Sequence, residues 1–252
     1  MSIAVESTWV ARNDTAAASL TIPSVVVVAG QACMTVKVSI RSAAVSVSGI
    51  TWGAKALSRQ AFIVGTNNRG ELWYAVGLTP GTDNIVISYT GGTTKSVAGS
   101  VVRTGVDQFS PIGNAFTAVG NSATPSVNVL FTESTDLVII DALGFQAVAS
   151  ATATPNAGQT QTTGNATTGT PALNNVAGFT SQRLAVANPQ GMGWTIATAE
   201  WWTMIGSYLR PRQKLASFNV ASQATANMGG ARPVDMEMRR ELNEIKARMR
   251  SL

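Results

Sequence analysis

The chain has 252 residues, of which 45% are apolar and only 12% charged, and its formal net charge is +5. It holds no histidine and one cysteine. That excludes a histidine base, a Ser-His-Asp triad, histidine metal ligands and an intrachain disulfide. The cations are scattered rather than banded, so no nucleic-acid partner is expected. No apolar run reaches the roughly eighteen residues of a membrane-spanning helix, and the first residues lack the basic and apolar regions of a secretory signal.

Residues 1–20 read as an N-terminal arm or an edge strand. From 21 to 217 the pattern is that of a β domain. Val25 to Val28 form a β-branched run after Pro23, suited to a strand buried on both faces. Residues 33–41 alternate: Met34, Val36, Val38 and Ile40 on one face, Thr35, Lys37, Ser39 and Arg41 on the other. This is the period of a strand with one buried and one wet face. Further strands are expected at 45–52, 60–65, 71–77, 84–89, 96–103, 115–119, 126–131, 137–144, 183–187, 194–198 and 201–209. Turn signals separate them: Asn67-Asn68-Arg69-Gly70, Pro80-Gly81-Thr82-Asp83 and Gly91-Gly92. Short strands at this spacing indicate an all-β antiparallel sandwich or barrel.

Residues 142–182 carry no charge and are biased toward small polar side chains. The readings that stand are a long surface loop or weak strands, and a strip packed against a neighbouring subunit, where unpaired charge would be costly. Residues 218–232, with Gly229-Gly230, read as an extended linker.

The last twenty residues change character. Met238, Leu242, Ile245, Met249 and Leu252 follow at steps of four and three, the a/d spacing of a coiled-coil seam. Pro233 suits a first helical turn, and Lys246, Arg248 and Arg250 suit a C-terminal one. Residues 233–252 are therefore expected to form an amphipathic α-helix. So short a helix is marginal alone in water, and its stripe needs a partner: copies of itself, its own sandwich or another protein. A membrane surface is not expected, because the stripe is narrow and lacks aromatics.

No residue is assigned a catalytic, cofactor-binding or metal-binding role. The body's acids are few, and none falls in the clusters that hold calcium; Glu71 and Glu200 could meet only if strand ends happened to bring them together. Aromatics could serve contacts. Trp73-Tyr74 and Trp201-Trp202 are adjacent pairs, so one ring of each faces inward and the other can be half exposed. Trp73, Trp201 and Trp202 are thus the candidate surface-contact aromatics.

An ordered set of segments resembles a known module: Ile50-Thr-Trp-Gly-Ala-Lys-Ala-Leu57, Glu71-Leu-Trp-Tyr74, Pro80-Gly-Thr82 with Ile85-Val-Ile87, Thr104-Gly-Val-Asp-Gln108 with Pro111-Ile-Gly113, Asp136-Leu-Val-Ile-Ile140, and Trp194 through Leu209-Arg-Pro211. Their order is similar to that of a β-sandwich module of bacteriophage virion proteins, over roughly residues 20–212. The resemblance implies a jelly-roll-like antiparallel β-sandwich and a non-enzymatic structural role. That role is capsid decoration (cement) or a short fibre, in a virion assembled in the host cytoplasm. The tail from Phe218 onward lies outside the resemblance, so assembly is read from the heptads only: the expected partners are copies of the chain, with a trimer as the expected order, and other virion proteins such as the major capsid protein. Met, Leu and Ile at the seam positions do not by themselves fix the strand number. The alternative use of the same fold is an adhesin binding host glycan or receptor through its tryptophans.

Overall fold

The computed structural model describes residues 2–133, 136–147, 151–169 and 174–213. The expected linker and C-terminal helix, with Met238, Leu242, Ile245, Met249 and Leu252, lie outside the described residues. The described part is all-β, with every strand pair antiparallel.

The strands run in two sets. The first is β1 (Ala4–Ala17), β2 (Ser19–Val27), β3 (Ala32–Ile40), β4 (Ser46–Trp52), β5 (Lys55–Ala56), β6 (Ser58–Val64), β7 (Arg69–Leu78), β8 (Gly81–Thr90) and β9 (Thr94–Thr104). The second is β10 (Phe116–Ser122), β11 (Ser126–Val129), β12 (Val138–Ala147), β13 (Ala153–Pro155), β14 (Thr160–Ala166), β15 (Asn175–Leu184), β16 (Gln190–Ile196) and β17 (Glu200–Leu209).

The first set makes a five-stranded sheet, β1-β9-β3-β7-β6, and a four-stranded sheet, β2-β8-β4-β5. They enclose one apolar core, including Ile22, Met34, Val36, Ile50, Trp73, Ile85 and Ile87. The second set makes β10-β17-β12-β15-β14 and β11-β16-β13. Its core includes Val129, Ile139, Leu143, Phe145, Phe179, Trp194 and Met204.

The second set repeats the first. Matching β10 to β1, β11 to β2, β12 to β3, β13 to β4, β14 to β6, β15 to β7, β16 to β8 and β17 to β9 reproduces both sheet orders, save for the added β5.

The two five-stranded sheets then stack face to face. β1 lies on β14, β9 on β14 and β15, β3 on β15 and β12, β7 on β12 and β17, and β6 on β17 and β10. Under the matching, β1 on β14 and β6 on β10 are the same contact made twice, and β3 meets its own counterpart β12. Such reciprocity defines an isologous, two-fold interface, here made inside one chain.

This stacking explains where sequence patterns mislead. Thr35, Lys37 and Ser39 alternate with core residues, as a wet face should, yet all nine residues of β3 are buried. The polar face of β3 lies against the second five-stranded sheet. Within the uncharged strip 142–182, the described residues supply the end of β12, the short, partly exposed strands β13 and β14, and β15, which is buried from Asn175 to Ser181. The strip avoids charge because β14 and β15 press on β9 and β3 of the same chain. The run at Val25 belongs to an outer strand rather than a sheet centre. Val25 and Val27 point inward, while Val28, beyond the strand end, is 68% exposed. Of the strand expected at 183–187, only Arg183 and Leu184 are in a strand, as the end of β15. Residues 4–17 form an edge strand, paired with β9.

Candidate functional site

The chemistry-bearing side chains gather where the two five-stranded sheets meet and just behind them. One end of this seam is apolar, with Cys33, Leu72, Val138, Ile140 and Ile205. The rest is polar and close-packed, and glycines make the approach possible. A Cβ on Gly144 would lie 2.6 Å from Ser39 Oγ, one on Gly178 3.0 Å from the same atom, and one on Gly99 2.3 Å from Thr163 Oγ1. Ser39 Oγ itself is buried without a hydrogen-bond partner.

Two cations are buried here. Lys37 projects from β3 and its Nζ donates to Phe179 O at 3.0 Å. Burial holds its pKa well below the usual lysine value, and Asp141 offsets that only in part. Arg103 projects from β9. Its Nε donates to Gln182 Oε1 at 2.9 Å and its NH1 to Thr35 Oγ1 at 2.8 Å. Burial lowers its pKa to about 10, against the pull of Cys33. Burial also raises the Cys33 thiol to about 12, so this cysteine is an inert apolar group rather than a nucleophile. Thr35, Lys37, Arg103, Asp141 and Thr180 help line a cavity of about 10 Å³. That is close to the smallest space that holds one water, and far below a substrate pocket.

Two carboxylates are buried, one behind each sheet. Asp141 of β12 faces the second core. Its Oδ1 accepts from Ser181 N at 2.7 Å, and its Oδ2 from Trp194 Nε1 at 2.8 Å and Gln159 Nε2 at 3.3 Å. Burial pushes its pKa up to about 6, although these donors and Lys37 favour the ionised form. Glu71 of β7 faces the first core. Its Oε1 accepts from Arg69 Nε at 2.6 Å and Val47 N at 3.0 Å, and its Oε2 from Trp73 Nε1 at 3.0 Å. Arg59 and Arg69 both lie over the Phe62 ring, at 5.0 and 4.4 Å from its centroid. Each carboxylate thus spends its lone pairs on fixed protein donors, which is how a buried charge is tolerated. Among the described residues, no group of three or more Cys, Asp or Glu is arranged to hold a metal ion.

The candidate aromatics separate. Trp73 is buried in the first core and Trp202 in the second, where its Nε1 donates to Ser122 Oγ at 3.1 Å. Trp201 is the exposed member, with 42% of its surface open. Strand parity anticipated one inward ring per pair; it could not tell which.

Sequence reasoning missed a hydrogen-bonded loop between the two sets. Asp107 Oδ1 accepts from Phe109 N at 2.9 Å and Ser110 N at 2.7 Å. Arg210 NH1 donates to Ser110 Oγ and Ile112 O, and its NH2 pairs with Glu133 at 2.5 Å. This frame presents Phe109 fully exposed. Asp107 was the available signal, since Asp readily hydrogen-bonds backbone two residues on.

No family model, no curated protein and no solved structure matches this chain.

Proposed function

We propose that the chain is a non-enzymatic bacteriophage virion structural protein, a capsid decoration or short-fibre subunit. In this reading each strand set is a jelly roll, and the protein forms a symmetric oligomer, a trimer, through residues 233–252 and sandwich contacts. The observation that carries the reading is the strand order, β1-β9-β3-β7 against β2-β8-β4, made twice in one chain. A chain that changes sheets at nearly every turn wraps two Greek keys into a jelly roll, a construction used by viral capsid domains.

Two further features support it. The buried ionisable groups are committed to interior hydrogen bonds, as in a body built to be rigid. The sequence also carries an assembly pattern, the heptad stripe at Met238, Leu242, Ile245, Met249 and Leu252. The adhesin alternative retains one exposed tryptophan, Trp201, rather than a platform of rings.

The test is the composition of purified particles made by the genome that encodes the chain. The protein should be present in many copies per particle, and Leu242→Asp with Ile245→Asp should remove it. In solution, light scattering should give at least three copies for the full chain and a lower mass for a chain ending at Ala231. Particles without the protein would reject the virion reading. A monomer both with and without the tail would reject the trimer.

A further inference from the structure

The two stacked sheets end in four outer strands: β1 and β6 in one, β10 and β14 in the other. An outer strand offers unpaired backbone groups to any passing chain, and proteins blunt such edges with bulges, charges or covering residues. Three of the four are blunted here. β1 carries Glu6, Arg12 and Asp14 and slips register between Val5 and Ser7 and between Asn13 and Ala17. β6 carries Arg59 and slips between Arg59 and Ala61. β14 slips between Gln161 and Thr163, and Arg12 reaches over it to Asn165 Oδ1 at 3.2 Å and Ala166 O at 2.8 Å.

Among the described residues, β10 has none of these devices. Phe116–Ser122 pairs with β17 residue for residue, without a register shift, and contains neither charge nor proline. Thr117, Val119 and Asn121 are exposed, Val119 by 50%, and exposed Trp201 sits opposite Asn121. The internal repeat supplies a control. β1 holds the place in the first set that β10 holds in the second, so the same position is guarded in one copy and, among the described residues, unguarded in the other.

We propose that β10 is an assembly edge, at which two copies of this chain pair antiparallel about a two-fold axis through Val119. The occupant is a second copy because of the strand's own composition. A two-fold contact sets each residue against itself or its mate: Val119 on Val119, Thr117 on Asn121, Ala118 on Gly120, Phe116 on Ser122. A self-pairing strand must therefore carry no charge that would meet its like, and β10 carries none. A charged partner strand would find no complement there. Pairing joins two five-stranded sheets into one of ten strands and leaves no open edge at that place. The assignment does not rest on the virion reading or on the tail.

The experiment uses the full chain with Val119→Cys. Opposed residues of antiparallel strands have Cα atoms roughly 4.5–5.5 Å apart, within disulfide reach. Cys33 is buried and does not compete. Mild oxidation should convert most Val119→Cys protein to a covalent dimer, while Val10→Cys, exposed on β1, stays monomeric on a non-reducing gel. The same cross-link should form when Leu242→Asp and Ile245→Asp disable the tail. In that background Val119→Lys should halve the mass measured by light scattering. The proposal is overturned if Val119→Cys cross-links no better than Val10→Cys. It is equally overturned if the cross-link vanishes once the tail is disabled, because the contact then belongs to the tail. A tail without effect on mass would reject the trimer and leave the β10 cross-link intact.

Discussion

Lys37 shows how much a single side chain can set against the fold that buries it. Its amine has one backbone acceptor, Phe179 O, and its pKa is held far down by burial. The unfolded chain keeps that proton up to about pH 10.4. At any pH between the two values the unfolded state binds more protons, so stability rises with pH until the unfolded lysine also titrates. Asp141 has the opposite sign. Its folded pKa of about 6 lies above the ordinary value of 3.8. Its contribution is whole below about pH 4 and is lost as pH rises through 6. Lys37→Met keeps the length of the side chain and removes the buried amine. It should raise the melting temperature near neutral pH, because it removes the desolvation penalty of the buried amine, which Asp141 offsets only in part. At roughly 2–4 °C per kcal/mol for a chain of this size, thermal melting detects the change easily. Melting followed from pH 5 to 10 should lose its alkaline rise in the variant, and its acid limb should move to higher pH, because Asp141 loses the Lys37 charge that favours its ionised form. A variant that melts lower at every pH would mean that the Nζ–Phe179 O bond outweighs the desolvation cost.

At the scale of strands, the close approach of the two five-stranded sheets depends on glycines facing hydroxyls. Gly144→Ala would set a methyl 2.6 Å from Ser39 Oγ and 3.2 Å from Thr203 Oγ1, in strands already paired on both sides. Overpacking of this kind costs about 1–3 kcal/mol. Denaturant unfolding should show the loss, and Ser39→Ala in the same chain should recover part of it by removing the nearest atom. Most strands were legible in sequence, because β3, β8 and β12 alternate or run apolar as strands must. What alternation could not show was the second sheet. Thr35, Lys37 and Ser39 spell solvent in a single layer and spell a polar seam in a stack, and only tertiary contact distinguishes the two. The repeat was hidden for a related reason. β3 places Lys37 in the seam, whereas β12 turns Asp141 toward its own core. Equivalent strands thus carry unrelated residues at their most conspicuous positions. In the strip from 142 to 182 small polar residues suit a loop, a weak strand or a packed contact alike, and the contact of β14 and β15 with β9 and β3 of the same chain is what decides.

At the scale of the molecule, one two-fold relation lies inside the chain and two proposed contacts lie outside it. If residues 233–252 join three copies and β10 joins two, the interfaces have different symmetries and neither can complete the other. Three-fold and two-fold axes together close as six copies or extend as a net, both suited to a protein that covers a repeated surface. The order of assembly then becomes measurable. The full chain should exceed the mass of three copies as concentration rises. Val119→Lys should stop it at three, and Leu242→Asp with Ile245→Asp should stop it at two. All three substitutions together should leave a folded monomer, since Val119 is half exposed and contributes little to its own core. Sedimentation across a tenfold concentration range separates these four species. If Val119→Lys and the unsubstituted chain sediment alike while the tail variant falls directly to monomer, assembly runs through the heptads alone. The flat, uncharged edge of β10 would then be a strand that the protein leaves unguarded without using it.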